Sequence, residues 1–269
     1  PLPLAETMLG SWLLAGAGLD IPDGKLTAGP VRDGESVTLS LTSHLSGTLT
    51  RVPWARNVDH LVVLALRDGE PWVALMHKAT WSIETGENVA REPRDTIRFD
   101  GVAISAARTE TTPSELLAVG AAMRTQQIAG ALTRLTEITT QYAQDRVQFG
   151  RPIGKFQAVQ QNLAVMAGQT AAAVAAADLA AEAVADAIKI LPIAAGKARA
   201  GEAAGIAAAI AHQVHGAIGF TFEHNLHFLT RRLWSWRDEF GKDAAWNMLL
   251  GRHMAHAGAD NLWAEITTA

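Results

Sequence analysis

Cysteine is absent from this 269-residue chain. That absence removes disulfides, thiolate nucleophiles and Cys-ligated metal at once, and it fits a reducing, cytoplasmic setting. An excess of basic residues is also missing. The formal net charge is −4 and the pI about 6.2, so the sequence carries no electrostatic footprint for nucleic acid. The Ala-rich run over residues 171–187 is interrupted by Asp178, Glu182 and Asp186, and it reads as a helix in water rather than a membrane span. The first residues lack a basic stretch followed by an apolar core, so no secretory leader is expected. The chain opens at Pro1 rather than Met, which suggests trimming from a longer protein. What remains is long enough to bury one large core or two.

The apolar spacing changes character along the chain. Residues 3–17 place Leu4, Met8, Trp12 and Ala15 on one side of a helix, which Gly16, Gly18, Pro22 and Gly24 then end. From Ser36 onward, Val37, Leu39 and Leu41 alternate with polar residues, and residues 60–66 form an almost continuous apolar run. Asp68-Gly69 ahead of residues 71–76 is a hairpin signature. Further strands are expected at 79–83 and 95–99, and the β region ends near Ile104. Beyond Thr112-Pro113-Ser114-Glu115 the pattern is helical: one segment reaches Tyr142, the next covers 156–190, and Pro192 breaks the chain. Helix resumes at Ala194 and runs to His215, followed by helices at 223–236 and 243–256. Helices beyond about 25 residues favour a bundle, and Ala-rich faces permit close helix approach and extensive subunit contacts. The expected fold class is α+β, mostly α. A short helical front spans 1–30, a small β domain 31–111, and a four-helix bundle domain 112–269.

Two segments carry more chemistry than a helical hairpin needs. The first, Asp145-Arg146-Val147-Gln148-Phe149-Gly150-Arg151-Pro152-Ile153-Gly154-Lys155-Phe156-Gln157-Ala158-Val159-Gln160, joins two long helical segments through a turn. Its arginines offer rigid forks suited to phosphate, and its glutamine amides both donate and accept. The second is Gln213-Val214-His215-Gly216-Ala217-Ile218-Gly219-Phe220-Thr221-Phe222-Glu223-His224. Read from the residues alone, Arg146 could equally cap a helix C-terminus, with the glutamines bonding exposed backbone near the turn. Together, and in this order, the two segments resemble the R-x-Q-F-G-x-P-I…F-Q-x-x-Q and Q-x-x-G-G-x-G-[FY]-[ST] runs of the acyl-CoA dehydrogenase family. The resemblance is strong over residues 114–251.

That resemblance implies an activity: α,β-dehydrogenation of an acyl-CoA thioester, with FAD as cofactor and a carboxylate as the base. A Glu suits that task because burial raises its pKa toward that of the carbon acid. The flavin carries the redox chemistry. In the family, these two motifs bind the ADP portion of an FAD held mainly by a neighbouring subunit. Carried over by position, the cofactor-binding residues are Arg146, Gln148, Phe149, Gln213, Gly216 and Ala217, the last standing where the family usually has glycine. No metal site is implied: His215, Glu223, His224 and His227 lie close in sequence, but no matching ligand set accompanies them. Arg231, Arg232 and Arg237 could attract CoA phosphates or form ion pairs on a helix surface.

The departures from the family pattern matter as much. Its T-E-P-x-(A/S)-G-(S/T)-D flavin loop is missing, and Pro30-Val31-Arg32-Asp33-Gly34-Glu35 passes directly toward a strand. Its W-x-(T/S) strand is missing too, with Arg51-Val52-Pro53-Trp54-Ala55-Arg56 near that place. Trp54 is open to stacking on a ligand or to half-burial at a sheet edge. Neither of the family's usual positions for the base holds a carboxylate: Phe240 occupies one and Gly120 the other. Glu239 is the in-chain substitute, but a one-residue slip on a helix turns a side chain by about 100°. Asp238-Glu239 reads as a solvated helix end. No catalytic residue is therefore expected in this chain. It resembles the shorter subunit of actinobacterial heteromeric dehydrogenases, α2β2 assemblies acting on steroid side chains or rings, in which a homologous partner supplies the Glu and the flavin loop. On that resemblance, residues 1–30 are what is left of the family's N-terminal helical domain. The rival readings are a homo-oligomeric dehydrogenase using Glu239, and a helical scaffold without catalysis. No nucleic acid or membrane partner is expected.

Overall fold

A computed structural model describes residues 2–29, 35, 37–185 and 187–267. The run from Pro30 to Gly34, compared above with the flavin loop, and Asp186 lie outside the described residues. The chain divides into two compact units, residues 1–117 and 118–269.

The first unit is a helix packed on a sheet. α1 (Leu4–Gly16) buries Leu9, Leu13 and Leu14. Gly10 packs tightly there: a Cβ at that position would stand 3.0 Å from the Leu26 side chain, which would have to shift by a few tenths of an ångström. The strands are β1 (Leu26–Gly29), β2 (Val37–Leu39), β3 (His44–Pro53), β4 (His60–Arg67), β5 (Glu70–His77), β6 (Ser82–Glu84), β7 (Arg94–Ala103) and β8 (Ser105–Arg108). They form one sheet in the order β6-β7-β3-β2-β4-β5-β8, with β1 pairing parallel to β4. The β4–β5 hairpin closes in register from His60↔His77 to Arg67↔Glu70. Asp68 and Gly69 take positive φ of 53° and 82° at its turn, as a two-residue primed turn demands. Leu45, Leu49, Val52, Leu61, Val63, Met76 and Ile97 are fully buried in its core. Asp95, also fully buried, accepts from the backbone N–H groups of Arg56 and Gly86 and pairs with the Arg56 guanidinium at 3.0 Å.

Several expectations are corrected here. Leu41 is 78% exposed in a turn rather than alternating within a strand. Lys78–Thr80 is a single 3-10 turn, and the strand begins only at Ser82. β1, β3 and β8 were not foreseen.

The second unit is a helical bundle. α2 (Pro113–Asp145) starts on a reciprocal cap in which Glu115 accepts from the Thr112 backbone N–H at 2.7 Å and donates its own to Thr112 Oγ1 at 3.2 Å. After it come α3 (Gln157–Glu182), α4 (Ile190–His215), α5 (Leu226–Asp238), α6 (Asp243–Ala257) and a short α7 (Leu262–Thr267). α4 is the central helix: Ala194, Ala200, Ala203, Ala204, Ala207 and Ala211 are fully buried along it. At Gly196 a Cβ would stand 2.6 Å from the Ala176 carbonyl oxygen, so α3 and α4 approach as closely as glycine and alanine allow. Ile128, Leu132 and Leu135 of α2 and Leu226 and Leu233 of α5 fill one core with Met166. Pro192 does not break a helix. It lies in the first turn of α4, where its missing N–H costs nothing, and the break falls earlier, after α3 ends at Glu182. α3 and the α4 region are long and apolar enough to cross a membrane by length and composition alone; in this fold each sets a buried stripe against its neighbours.

Candidate functional site

The corner after α2 is a miniature hairpin. Val147–Gln148 and Arg151–Pro152 pair antiparallel as β9 and β10, and between them Phe149 and Gly150 take φ of 51° and 78°. A phenylalanine in the left-handed region is unusual and is tolerated only where the surroundings fix it. Its ring is 93% exposed and meets Phe156 edge-on at 6.1 Å. The Arg151 guanidinium sits 4.3 Å from the Phe156 ring, which fixes the second aromatic. Arg146 is exposed, and among the described residues its guanidinium has no hydrogen bond or ion pair, so it does not cap α2. Its backbone closes the corner instead, donating to Tyr142 O and accepting from the Ile153 N–H. Gln148 is exposed and donates to its neighbour's carbonyl.

α4 ends in a second unusual turn. Gly216 has φ 63° and ψ −142°, a region closed to residues with a Cβ. Nothing lies within 4 Å of where a Cβ would be, so conformation, not crowding, requires the glycine. Gln213, Gly216 and Ala217 are all exposed. Beneath them, His215 and His212 are buried. His215 Nδ1–H donates to Ala211 O at 2.8 Å, and His212 Nε2 meets Thr230 Oγ1 at 3.0 Å. Burial pushes both imidazoles below their usual pKa, so both are neutral at pH 7.

The two motifs, some seventy residues apart, meet through the chain's sole tyrosine. Tyr142 stacks on His215 with ring centroids 4.3 Å apart and donates its hydroxyl to His215 O at 3.3 Å. Tyr142 lies one turn before Arg146, and His215 directly precedes Gly216. Arg146, Phe149, Gln213 and Gly216 therefore belong to one end of the bundle. Sequence reading missed Tyr142, although an aromatic one turn ahead of the Arg was there to be seen.

The two positions implied for a base also come together. A Cβ on Gly120 would fall 2.1 Å from the Phe240 ring. Phe240 has φ 52°, its carbonyl accepts from the Trp246 indole at 3.0 Å, and the Arg124 guanidinium lies 5.6 Å from its ring. Next to it Glu239 is only 6% exposed and pairs with Arg124 Nε at 2.8 Å. The expectation of a solvated Glu239 is thus corrected: α5 ends at Asp238 and the next residue turns inward to a buried cation. Lys197, fully buried, donates to Arg237 O and Gly241 O at 2.7 and 2.9 Å. Desolvation, aided by the charge of Arg124 and opposed by that of Glu239, lowers its pKa to about 8. Neither Arg124 nor Lys197 was singled out in sequence; each is a cation at a core-facing position of a helix, which was the available signal.

The remaining candidates do not converge. Trp54 is half-buried with φ 60°. On α5, Arg232 donates to Phe228 O and Arg237 pairs with Asp238. His227 Nδ1 meets His224 O, and His224 Nδ1 accepts from the Leu226 N–H.

The model of the acyl-CoA dehydrogenase C-terminal domain matches residues 111–254, more than half of the chain. The chain belongs to the acyl-CoA dehydrogenase family. It is 43% identical over 106 residues to the acyl-CoA dehydrogenase IpdE2 of Mycobacterium tuberculosis, a match covering 38% of this chain and 31% of that protein. The matched stretch is thus about a third of that relative's length. Among solved structures, the steroid dehydrogenase Tcur3481-Tcur3483 (a G363A variant) superposes with a TM-score of 0.87 at 24% identity, over 96% of this chain and 77% of that one. The ChsE4-ChsE5 complex from M. tuberculosis gives 0.81 at 25% identity over the same shares. These likenesses bear out the expected α+β, mostly helical fold.

Proposed function

We propose that this chain is one subunit of an FAD-dependent acyl-CoA dehydrogenase built from two unlike, homologous chains. It would hold the ADP end of the cofactor while the partner supplies the base and the flavin loop. The observation that carries this reading is the Arg146 corner. A guanidinium with no described partner, an almost wholly exposed Phe149 and the glycine turn at 216 share one end of the bundle. Such a set fits a diphosphate and an adenosine: the arginine fork pairs with phosphate oxygens, Gln148 and Gln213 offer amides, the Gly216–Ala217 backbone admits close approach, and Phe149 covers an aromatic face. FAD, when bound, supplies the hydride acceptor; the role of these residues is to grip and orient it. With Phe240 and Gly120 at the implied base positions, removal of the α-proton falls to a carboxylate of the partner.

The steroid dehydrogenase and the ChsE4-ChsE5 complex among the neighbours support a bulky acyl-CoA as substrate and an assembly of unlike chains; the α2β2 stoichiometry and a cytoplasmic setting are part of the same proposal. The outer face of α3 supports the assembly as well. No charged residue occurs between Lys155 and Asp178, and Val165 and Val174 stand 50% and 37% exposed, a surface suited to another helix.

The test is co-expression with the homologous partner, followed by flavin absorbance and an acyl-CoA panel. The assembled pair should be yellow, and Arg146→Ala should lose most of its flavin while the pair stays assembled. Full flavin retention by that variant, or stoichiometric flavin and turnover in this chain alone, would refute the reading.

A further inference from the structure

We infer that the Glu239–Gly241 corner is a built plug that closes this chain's own thioester-reacting position, with Phe240 as the stopper and Gly120 as its seat. This rests on the shared-cofactor reading above and adds to it a structural reason why no thioester enters at this chain's own position.

The argument is geometric. Gly120 and Phe240 are 120 residues apart in sequence, yet the ring stands where a Cβ of residue 120 would be, at 2.1 Å. Only glycine at 120 accepts that ring. Phe240 holds a left-handed φ of 52° and Gly241 one of 89°. A Cβ on Gly241 would collide with the Trp246 indole at 2.5 Å, so the second glycine is committed to the same fit. The backbone on both sides is tied down: the Phe240 carbonyl by Trp246, and the Arg237 and Gly241 carbonyls by Lys197. Glu239, the residue before the stopper, is anchored to Arg124. A site that had merely lost its carboxylate by drift needs none of this. Buried charges are costly to keep unless paired in good geometry, and backbone strain persists only where the surroundings over-determine it. Here both converge on one aromatic ring.

The experiment uses the flavin-loaded pair and 3-thiadecanoyl-CoA, a thioester whose β-position is sulfur and cannot release hydride. Bound thioester per flavin is counted by equilibrium dialysis for the wild-type pair and for Phe240→Ala. We expect at most one per flavin in the wild type and one more in the variant. An unchanged ratio, or two per flavin already in the wild type, overturns the plug. Where Phe240→Ala does not assemble, Phe240→Leu keeps an apolar group of smaller reach and is read in the same way. Melting temperature gives an independent check of the seat. Gly120→Ala should lower it, and Gly120→Ala/Phe240→Ala should regain part of the loss; a silent Gly120→Ala also overturns the inference. Loss of flavin sharing would count against the shared-cofactor reading, whereas an unchanged thioester ratio with flavin intact counts only against the plug.

Discussion

Arg124 and Lys197 are both buried within reach of the carboxylate of Glu239. Replacing Glu239 by Gln takes the carboxylate away from the buried Arg124 cation, and breaking a buried pair from one side costs about 3–5 kcal/mol. Urea unfolding of Glu239→Gln should show that loss, and Arg124→Met/Glu239→Gln should recover part of it. In the assembled pair, turnover per flavin should survive Glu239→Gln. Its abolition in a folded, flavin-loaded variant would make Glu239 the base. The two histidines under the Gly216 turn titrate in the opposite sense to a stabilising ion pair. Burial lowers their folded pKa below 6.5, so as pH falls below about 6.5 the unfolded chain takes up protons that the folded one refuses. Stability therefore drops with acid in that window. Melting temperature should fall from pH 7.5 to 5.5, and less steeply in His215→Phe, which keeps the stack on Tyr142 while removing one titrating ring.

Helix packing sets opposite signs for two outwardly similar substitutions. Gly130 lies within α2 with nothing within 4 Å of its absent side chain, whereas at Gly196 of α4 a Cβ meets backbone at 2.6 Å. Intrinsic propensity favours alanine over glycine by about 1 kcal/mol in a helix, so Gly130→Ala should raise stability by roughly that amount. Gly196→Ala must push α4 from α3 and should lower it by about 1–3 kcal/mol despite the same propensity gain. Denaturant midpoints of the two variants, moving in opposite directions, check this. At this scale the sequence was readable where a local rule governs: the Asp68-Gly69 hairpin and the long helices follow from turn chemistry and period. It misled where context overrides the local signal. Pro192 looked like a break because proline interrupts helix interiors, but in a first turn it interrupts nothing. Leu41 looked like a strand residue because alternation cannot show where a strand stops.

Across the whole molecule, the legible part of the candidate site was the part that faces solvent. Arg146, Gln148, Phe149 and Gln213 stand exposed, so residue type and order alone pointed to them. Gly120 and Phe240 were legible as departures from a pattern, but not as partners, because nothing in one dimension says that they meet. Arg124, Lys197 and Tyr142 escaped notice for a related reason: their roles lie in contacts across 115, 40 and 73 residues of chain. Glu239 was misjudged because a charged pair at a helix end is ordinarily wetted, and only tertiary structure turns one of the two inward.

The fit of Phe240 over Gly120 also bears on ancestry. A carboxylate placed at 120 would collide with the ring, and one placed at 240 would stand near an Arg124 guanidinium that Glu239 already engages. On the two-chain reading proposed above, restoring a base at either place takes linked substitutions, so the dependence of such a chain on its companion works as a ratchet.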